Sequence, residues 1–150
     1  MKISSPAFQN NGSIPPKYTC QGKNVSPPLE FYDIPQGAKS LALIMEDPDV
    51  PCCVRADCMY DHWIIFNIPP STRQLAEHTT PPGIQGSNTS GQNRYTGPCP
   101  PDREHRYFFK LYALDCTLNL TTGASKTDLE SAMQGHILAQ AQLIGRYEKS

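Results

Sequence analysis

The chain has 150 residues, of which 18% are charged, with a formal net charge of −1 and a pI near 6.4. This length favours one domain over residues 1–150, and the near-neutral charge gives no electrostatic reason to expect nucleic acid as a partner. The longest apolar runs, LALIM and WIIF, each suit one buried strand, so we expect no integral membrane association. The first residues lack the pattern of a secretory signal, which predicts a cytoplasmic protein.

The cysteines are the first ambiguous feature, because an even set of six suggests disulfides only in an exported protein. A cytoplasmic chain is expected to keep them as reduced thiols. The group Cys52, Cys53 and Cys58 lacks the paired CxxC spacing of a zinc site, so we expect neither a metal nor a cofactor.

In chain order, short extended pieces over residues 3–8 and 29–31 alternate with turns. Three stronger strands follow over residues 40–45, 62–68 and 107–114; in the last one, apolar and less apolar positions alternate as in a sheet with one buried face. The polar segment 71–101 is long for a compact domain, which favours a functional loop or one that holds short extended pieces.

The pattern changes after residue 121, where Thr127 and Glu130 have the spacing of a capping box. Leu129, Met133 and Ile137 recur at helical spacing, although Gly135 should weaken or bend that helix. Residues 143–147 return to a strand pattern. With no regular alternation of strands and helices, the sequence predicts a mainly β fold of two packed antiparallel sheets with a small C-terminal helical segment.

Polar side chains gather where the three strong strands begin or end. Asp47 and Asp49 follow the first strand, His62 opens the second, and His105 and Tyr107 open the third. If these ends share one edge of the fold, the side chains converge on a small hollow. Each has a plainer interpretation as well: Asp-Pro-Asp is common in turns, and a histidine before tryptophan is often an interior residue.

Four motifs, DPDVP, DHWIIFNIP, GPCPPDREHRYFFKLYAL and GHILAQAQLIGRYE, resemble the phosphatidylethanolamine-binding protein family, which includes the Raf kinase inhibitor proteins. The similarity is greatest to its short bacterial and archaeal branch and covers nearly the whole chain. The resemblance implies a two-sheet fold, a shallow pocket for phosphate-like groups and a homodimer. It does not extend to inhibition of a eukaryotic kinase.

Carried over position by position, the resemblance implies a ligand pocket built from three of the motifs. Where many relatives have glycine before the two prolines, this chain has Cys99. The implied ligand-binding residues are Asp47, Asp49, Pro51, Tyr60, His62, Gly97, Cys99, Pro100, Pro101, His105 and Tyr107.

The proline-rich loop over residues 97–101 predicts a rigid nest of amide N–H groups for an anion, with protonated His62 and Tyr107 as further donors. We therefore expect a binding protein for a phosphorylated or otherwise anionic ligand, such as a phospholipid head group, with a regulatory or inhibitory role. The alternative is an enzyme that uses the same pocket, with Cys99 and His105 as nucleophile and base. A protein-interaction module with an unidentified partner is a third interpretation. A metal site at His62, His105 and the two aspartates ranks lowest.

Overall fold

The computed structural model describes residues 1–150, and it is built mainly from nine strands with one α-helix and one turn of 3-10 helix at Pro16–Tyr18. The helix, α1, spans Lys126–Met133. The strands are β1 Lys2–Ser4, β2 Gly12–Ser13, β3 Leu29–Tyr32, β4 Ser40–Asp47, β5 Tyr60–Ile68, β6 Gln74–Leu75, β7 Ile84–Gln85, β8 His105–Leu114 and β9 Ile137–Tyr147.

The strands form two sheets, which confirms the predicted fold class. A six-stranded sheet has the order β2-β9-β8-β4-β5-β7, and a three-stranded sheet has the order β1-β3-β6. Every neighbouring pair is antiparallel except β2 and β9, which run parallel. The short strands β6 and β7 lie in the long polar segment, as its length predicted.

Strand β4 is buried along its whole length because both of its faces are covered. Leu41, Leu43 and Met45 face the larger apolar cluster, whereas Ala42 and Ile44 face a smaller one on the other side. Successive side chains of a strand project to opposite faces, so one strand can serve two cores. The smaller cluster is completed by α1 through Leu129 and Met133.

Helix α1 begins two residues earlier than the predicted capping box implies. Ser125 is the N-cap; its Oγ accepts a hydrogen bond from the Asp128 amide (3.1 Å), and the Asp128 carboxylate accepts one from the Ser125 amide (3.1 Å). The prediction of Thr127 and Glu130 as the box was therefore wrong. A Ser-x-x-Asp spacing satisfies the same free amides, and the sequence offers both registers.

The end of α1 also differs from its apolar spacing. The helix stops at Met133, and Gly135 follows with φ +82°, a left-handed conformation that glycine adopts without strain. Gly135 therefore lies beyond the helix rather than bending it, and Ile137 begins β9.

Two disulfides join Cys20 to Cys99 and Cys52 to Cys58, which corrects the prediction of reduced thiols; Cys53 and Cys116 are free. The fold brings the paired Cα atoms to 5.5 Å and 4.5 Å, within the range that a disulfide spans. Cytoplasmic localisation stays a prediction, and disulfides are the bonding state that oxidising compartments favour. The chain contains no helix with the length and apolar character needed to span a bilayer.

Candidate anion-binding site

The strand ends meet around a cavity of about 430 Å³, here called the His62 pocket. Antiparallel pairing places Tyr60 of β5 opposite Asp47 of β4, and the first residue of the neighbouring strand β8 is His105. The pocket is lined by Asp47, Val50, Val54, Arg55, Tyr60, His62, Thr89, Thr96, Gly97, Cys99, Pro100, Pro101 and His105. Of the residues implied by the sequence, Asp49, Pro51 and Tyr107 are not part of this lining.

His62 is buried and electrically neutral at pH 7. Its Nδ1 lies 2.6 Å from the carbonyl oxygen of Thr96, and because a carbonyl only accepts, Nδ1 must carry the proton. Burial lowers the pKa of His62 to about 4; the bond to Thr96 opposes that shift, and the charge of His105 adds to it. Nε2 is left as an acceptor without a protein partner in the neutral ring, whereas the predicted role of His62 as a donor to an anion requires a protonated ring.

His105 is fully buried between two carboxylates. Its Nδ1 lies 2.6 Å from Oδ2 of Asp47, and its Nε2 lies 2.6 Å from Oδ1 of Asp102. Burial raises the pKa of Asp47, and the hydrogen bond from His105 offsets part of that rise. Both ring nitrogens are thus engaged, and His105 anchors the pocket wall without a nitrogen free for a ligand.

Asp49 holds the turn after β4 onto β8. Arg106 donates to both of its carboxylate oxygens, from Nε (2.9 Å) and Nη2 (2.8 Å), and the Arg106 amide donates a third bond (2.8 Å). These bonds lower the pKa of Asp49, against the opposing effect of burial. Asp61, at the start of β5, forms an ion pair with Lys126 (2.8 Å).

Tyr107 lies behind His62, with its ring edge-on and the ring centroids 5.3 Å apart. It is fully buried, and burial followed by the charge of Asp47 raises the pKa of its hydroxyl far above the ordinary value. Tyr107 therefore supports the histidine that lines the cavity.

The stiff loop over residues 97–101 does not form the predicted nest of free amides. Gly97 donates its amide to Oδ1 of Asn24 (2.8 Å), and the three prolines of this loop have no N–H. The Cys99 amide is the one N–H of these five residues that makes no bond within the protein. A side chain at position 97 would collide with the Tyr18 carbonyl and with Asn24, so this close approach requires glycine.

The loop is fixed instead by its disulfide. Cys99 is bonded to Cys20, across 79 residues of sequence, and so it offers no thiolate for nucleophilic attack. The pairing of Cys99 and His105 as nucleophile and base is contradicted on both sides, because the His105 nitrogens are also occupied.

Three polar residues of the lining were missed by sequence reasoning. Arg55 is held by its own loop, where Nε donates to the carbonyl of Met59 (2.8 Å). Thr89 and Thr96 come from the long polar segment, where nothing in the residue types distinguishes them from their neighbours. One sequence feature could have identified Arg55: it is the only cationic residue between the first two motifs.

Comparison with known proteins identifies the family of this chain. The family model described as phosphatidylethanolamine-binding protein matches residues 4–148. A UPF0098 protein of Chlamydia pneumoniae is 51% identical over 150 residues, covering 100% of both chains, and one from Methanothermobacter thermautotrophicus is 50% identical over 155 residues, covering 99% of each.

Solved structures of the same family also match this chain. The crystal structure of CT736 from Chlamydia trachomatis, described as a phosphatidylethanolamine-binding protein homologue, has a TM-score of 0.97 at 50% identity and covers 99% of this chain and 97% of its own. Escherichia coli YbcL, described as a member of the mammalian family, has a TM-score of 0.89 at 27% identity, with 99% and 98% coverage. The chain therefore belongs to the phosphatidylethanolamine-binding protein family.

Proposed function

We propose that the His62 pocket binds a small phosphate monoester in its singly protonated form, with the head group phosphoethanolamine as the simplest example. The observation that carries this proposal is the neutral His62 ring, whose Nδ1–H is committed to Thr96 and whose Nε2 can only accept. A ligand with a donor hydrogen can therefore hydrogen-bond to Nε2, whereas a fully ionised phosphate, which only accepts, cannot.

The rest of the lining supports a ligand with mixed character. The Arg55 guanidinium and the hydroxyls of Thr89 and Thr96 can donate to phosphate oxygens. Asp47, with its carboxylate at the pocket wall, disfavours a bare dianion and favours a cationic group beside the phosphate. A volume of about 430 Å³ suits a small molecule.

The ligand phosphate has two sources, free phosphoethanolamine or the head group of phosphatidylethanolamine, which the family description suggests. In the phospholipid the phosphate is a diester with no proton to donate at pH 6, so there the ammonium group would be the donor to Nε2. Two titrations distinguish these sources: one with soluble phosphoethanolamine and one with bilayer discs that contain phosphatidylethanolamine. Binding to the soluble compound alone would favour a free metabolite.

Several contacts favour binding over catalysis. His62 is oriented by a backbone carbonyl instead of the carboxylate that usually orients a general base. His105 has the carboxylates but no free nitrogen, and Cys99 is in a disulfide. A homodimer and a regulatory role toward a protein partner stay predictions from the resemblance, and sedimentation with and without ligand tests the first of them.

Calorimetric titration of the oxidised protein with phosphoethanolamine at pH 6 tests the proposal. We expect saturable binding that weakens about 10- to 100-fold in His62→Phe, which keeps the bulk and removes the acceptor. His136→Gln is the matched control, because His136 is an exposed histidine paired with Asp115 (2.8 Å) on another part of the surface. Equal affinity in the wild type and His62→Phe would contradict the proposed site.

A further inference from the structure

A second and larger concavity lies on the other side of the segment that carries Thr96. This Trp63 cleft has a volume of about 640 Å³. It is lined by Lys23, Asn24, Val25, Ser26, Trp63, His78, Thr79, Thr80, Pro81, Gln85, Arg94 and Tyr95. His62 and Trp63 are consecutive residues of β5, so their side chains leave the strand in opposite directions and serve different cavities.

The lysine and arginine of this lining face no acidic residue within it. Lys23 and Arg94 are exposed cations on its rim, and no aspartate or glutamate lines it. Neither cation forms an ion pair; Arg94 donates only to the side-chain oxygen of Gln92 (3.0 Å). The neighbouring Glu77 is already engaged by Lys17 and by the hydroxyl of Tyr18 (2.6 Å). The charge of Glu77 also acts on Lys23, so the cleft presents a positive charge that Glu77 compensates only in part.

The floor of the cleft consists of the edges of Trp63 and Tyr95, which are 2% and 9% exposed and are held in place by hydrogen bonds. The rings of Trp63 and Tyr95 pack edge to face with their centroids 5.3 Å apart. The Trp63 indole donates to Oε1 of Gln85 (2.9 Å), and the Tyr95 hydroxyl donates to the carbonyl of Tyr18 (2.7 Å). A floor that is already ordered loses little entropy when a ligand settles on it.

The walls of the cleft are fixed from both sides by main-chain hydrogen bonds. The His78 amide donates to the Ser26 carbonyl (3.1 Å), and the Asn24 amide donates to the Lys17 carbonyl (3.0 Å). The two loops that face each other across the cleft are thus joined to the body of the protein. The concavity is preformed, and binding does not require it to be assembled.

We propose that the Trp63 cleft is a second ligand site, specific for a small planar aromatic anion such as an aryl carboxylate or aryl sulfonate. Lys23 and Arg94 attract the acid group, while half-buried Val25 and the exposed edges of the otherwise buried Trp63, Tyr95 and Pro81 contact the ring. The site is separate from the His62 pocket and does not depend on the function proposed for that pocket.

The probe for the test is naphthalene-2-sulfonate, which stays ionised at every pH used and has no proton to give to His62. Methanesulfonate has the same charge without the ring. Trp63 is the only tryptophan of the chain, so its indole N–H gives one NMR signal that reports on the cleft without ambiguity. The titrations use the full oxidised chain at low salt, because exposed charges are screened by salt.

We expect saturable shifts of the Trp63 indole signal and of the amides of Asn24, His78 and Tyr95, with at least about tenfold weaker binding of methanesulfonate. The double variant Lys23→Ala/Arg94→Ala should weaken naphthalene-2-sulfonate by about tenfold. Lys39→Ala/Lys149→Ala removes the same charge from exposed positions outside the cleft and should bind as the wild type does.

Three results would overturn the proposal. These are shifts confined to the lining of the His62 pocket, equal affinity for both sulfonates, and equal weakening in the two double variants. The last result would mean that net charge alone attracts the probe.

Discussion

The His62 pocket and the Trp63 cleft lie back to back, yet their lining residues select ligands on different grounds. The pocket has a buried neutral histidine, a carboxylate at its wall and one arginine, so hydrogen-bond direction decides what it accepts. The cleft has a floor of buried aromatic rings that present only their edges and two cations on its rim that form no ion pair, so charge and apolar contact decide what it accepts. A family resemblance that implies an anion pocket therefore does not by itself identify where a given anion binds.

The largest expected difference between the two sites comes from removing each of the two disulfides. The Cys20–Cys99 bond joins the pocket wall to the stretch that leads to Lys23 and Asn24, and it spans 79 residues; the Cys52–Cys58 bond spans 6 residues beside the pocket alone. Loop-closure entropy predicts that replacing both cysteines by serine destabilises the protein by about 4 kcal/mol for the long bridge and about 2 kcal/mol for the short one. Urea unfolding of each double variant measures this difference.

Ligand titrations of the same variants extend that comparison. Loss of the Cys20–Cys99 bond should weaken binding at both sites, whereas loss of the Cys52–Cys58 bond should weaken the pocket only. A variant without Cys20 and Cys99 that keeps wild-type stability and both affinities would show that this disulfide does not organise the two sites.

Substitution of His62 should act on one site and spare the other. His62→Phe removes the acceptor for a protonated phosphate, and we expect the pocket to lose about 10- to 100-fold in affinity for phosphoethanolamine. The affinity of the cleft for naphthalene-2-sulfonate should stay within about twofold, since additivity holds for sites without shared contacts. A parallel loss at both sites would indicate that the pocket and the cleft are one site.

The two sites should respond differently to pH between 5 and 8. A phosphate monoester loses its last proton with a pKa of about 6, so the form that can donate to His62 becomes rare as pH rises. His62, with its pKa lowered to about 4, stays neutral throughout this range. Phosphoethanolamine should therefore bind the pocket more than about tenfold more weakly at pH 8 than at pH 5.

Two ligands that do not titrate in this range serve as controls for the pH series. 2-Aminoethyl sulfate keeps its charge at both ends, so any binding to the pocket should not vary with pH. Naphthalene-2-sulfonate stays ionised throughout, so any change in its affinity for the cleft between pH 5 and 8 reports on the lining, which includes His78, and not on the ligand. Phosphoethanolamine binding that strengthens toward pH 8 would contradict the role given to Nε2.

The smallest expected effect concerns Asp49, which the resemblance assigned to the pocket and the structure pairs with Arg106. Asp49→Asn should lower the free energy of unfolding by about 1 kcal/mol at pH 7 without changing either ligand affinity. Because Arg106 lowers the pKa of Asp49 below 3.8, this contribution is present above that pH and is lost as the pH falls through the lowered value. Weaker phosphoethanolamine binding in Asp49→Asn would return Asp49 to the site.

Much of the fold could be predicted because long strands leave strong patterns. Strands β4, β5 and β8 were all identified by their apolar runs, and residues 143–147 were recognised as a strand although β9 begins at Ile137. The earlier part of β9 is partly exposed and begins two residues after Gly135, so its residues lacked an apolar run and continued the helical spacing instead. Local spacing also could not choose between two capping registers that differ by two residues.

The sequence predicted which residues form the candidate site better than it predicted their hydrogen bonds and protonation. Motifs gave the positions of Asp47, His62 and the loop over residues 97–101, which the structure does bring together. Three facts depend on contacts between distant segments: the Cys20–Cys99 bond, the Asn24 acceptor for Gly97 and the carbonyl of Thr96 beside His62. Those contacts decide which groups remain free for a ligand, and no single stretch of sequence contains them.

The most direct test of this account is the protonation of the His62 ring, followed by nitrogen-15 NMR of histidine side chains from pH 3.5 to 8. We predict a neutral ring protonated at Nδ1 at pH 7, titration near pH 4, and a change at Nε2 when phosphoethanolamine is added at pH 6. An imidazolium at pH 7, or a neutral ring protonated at Nε2, would contradict the account, because His62 would then be a donor to fully ionised anions.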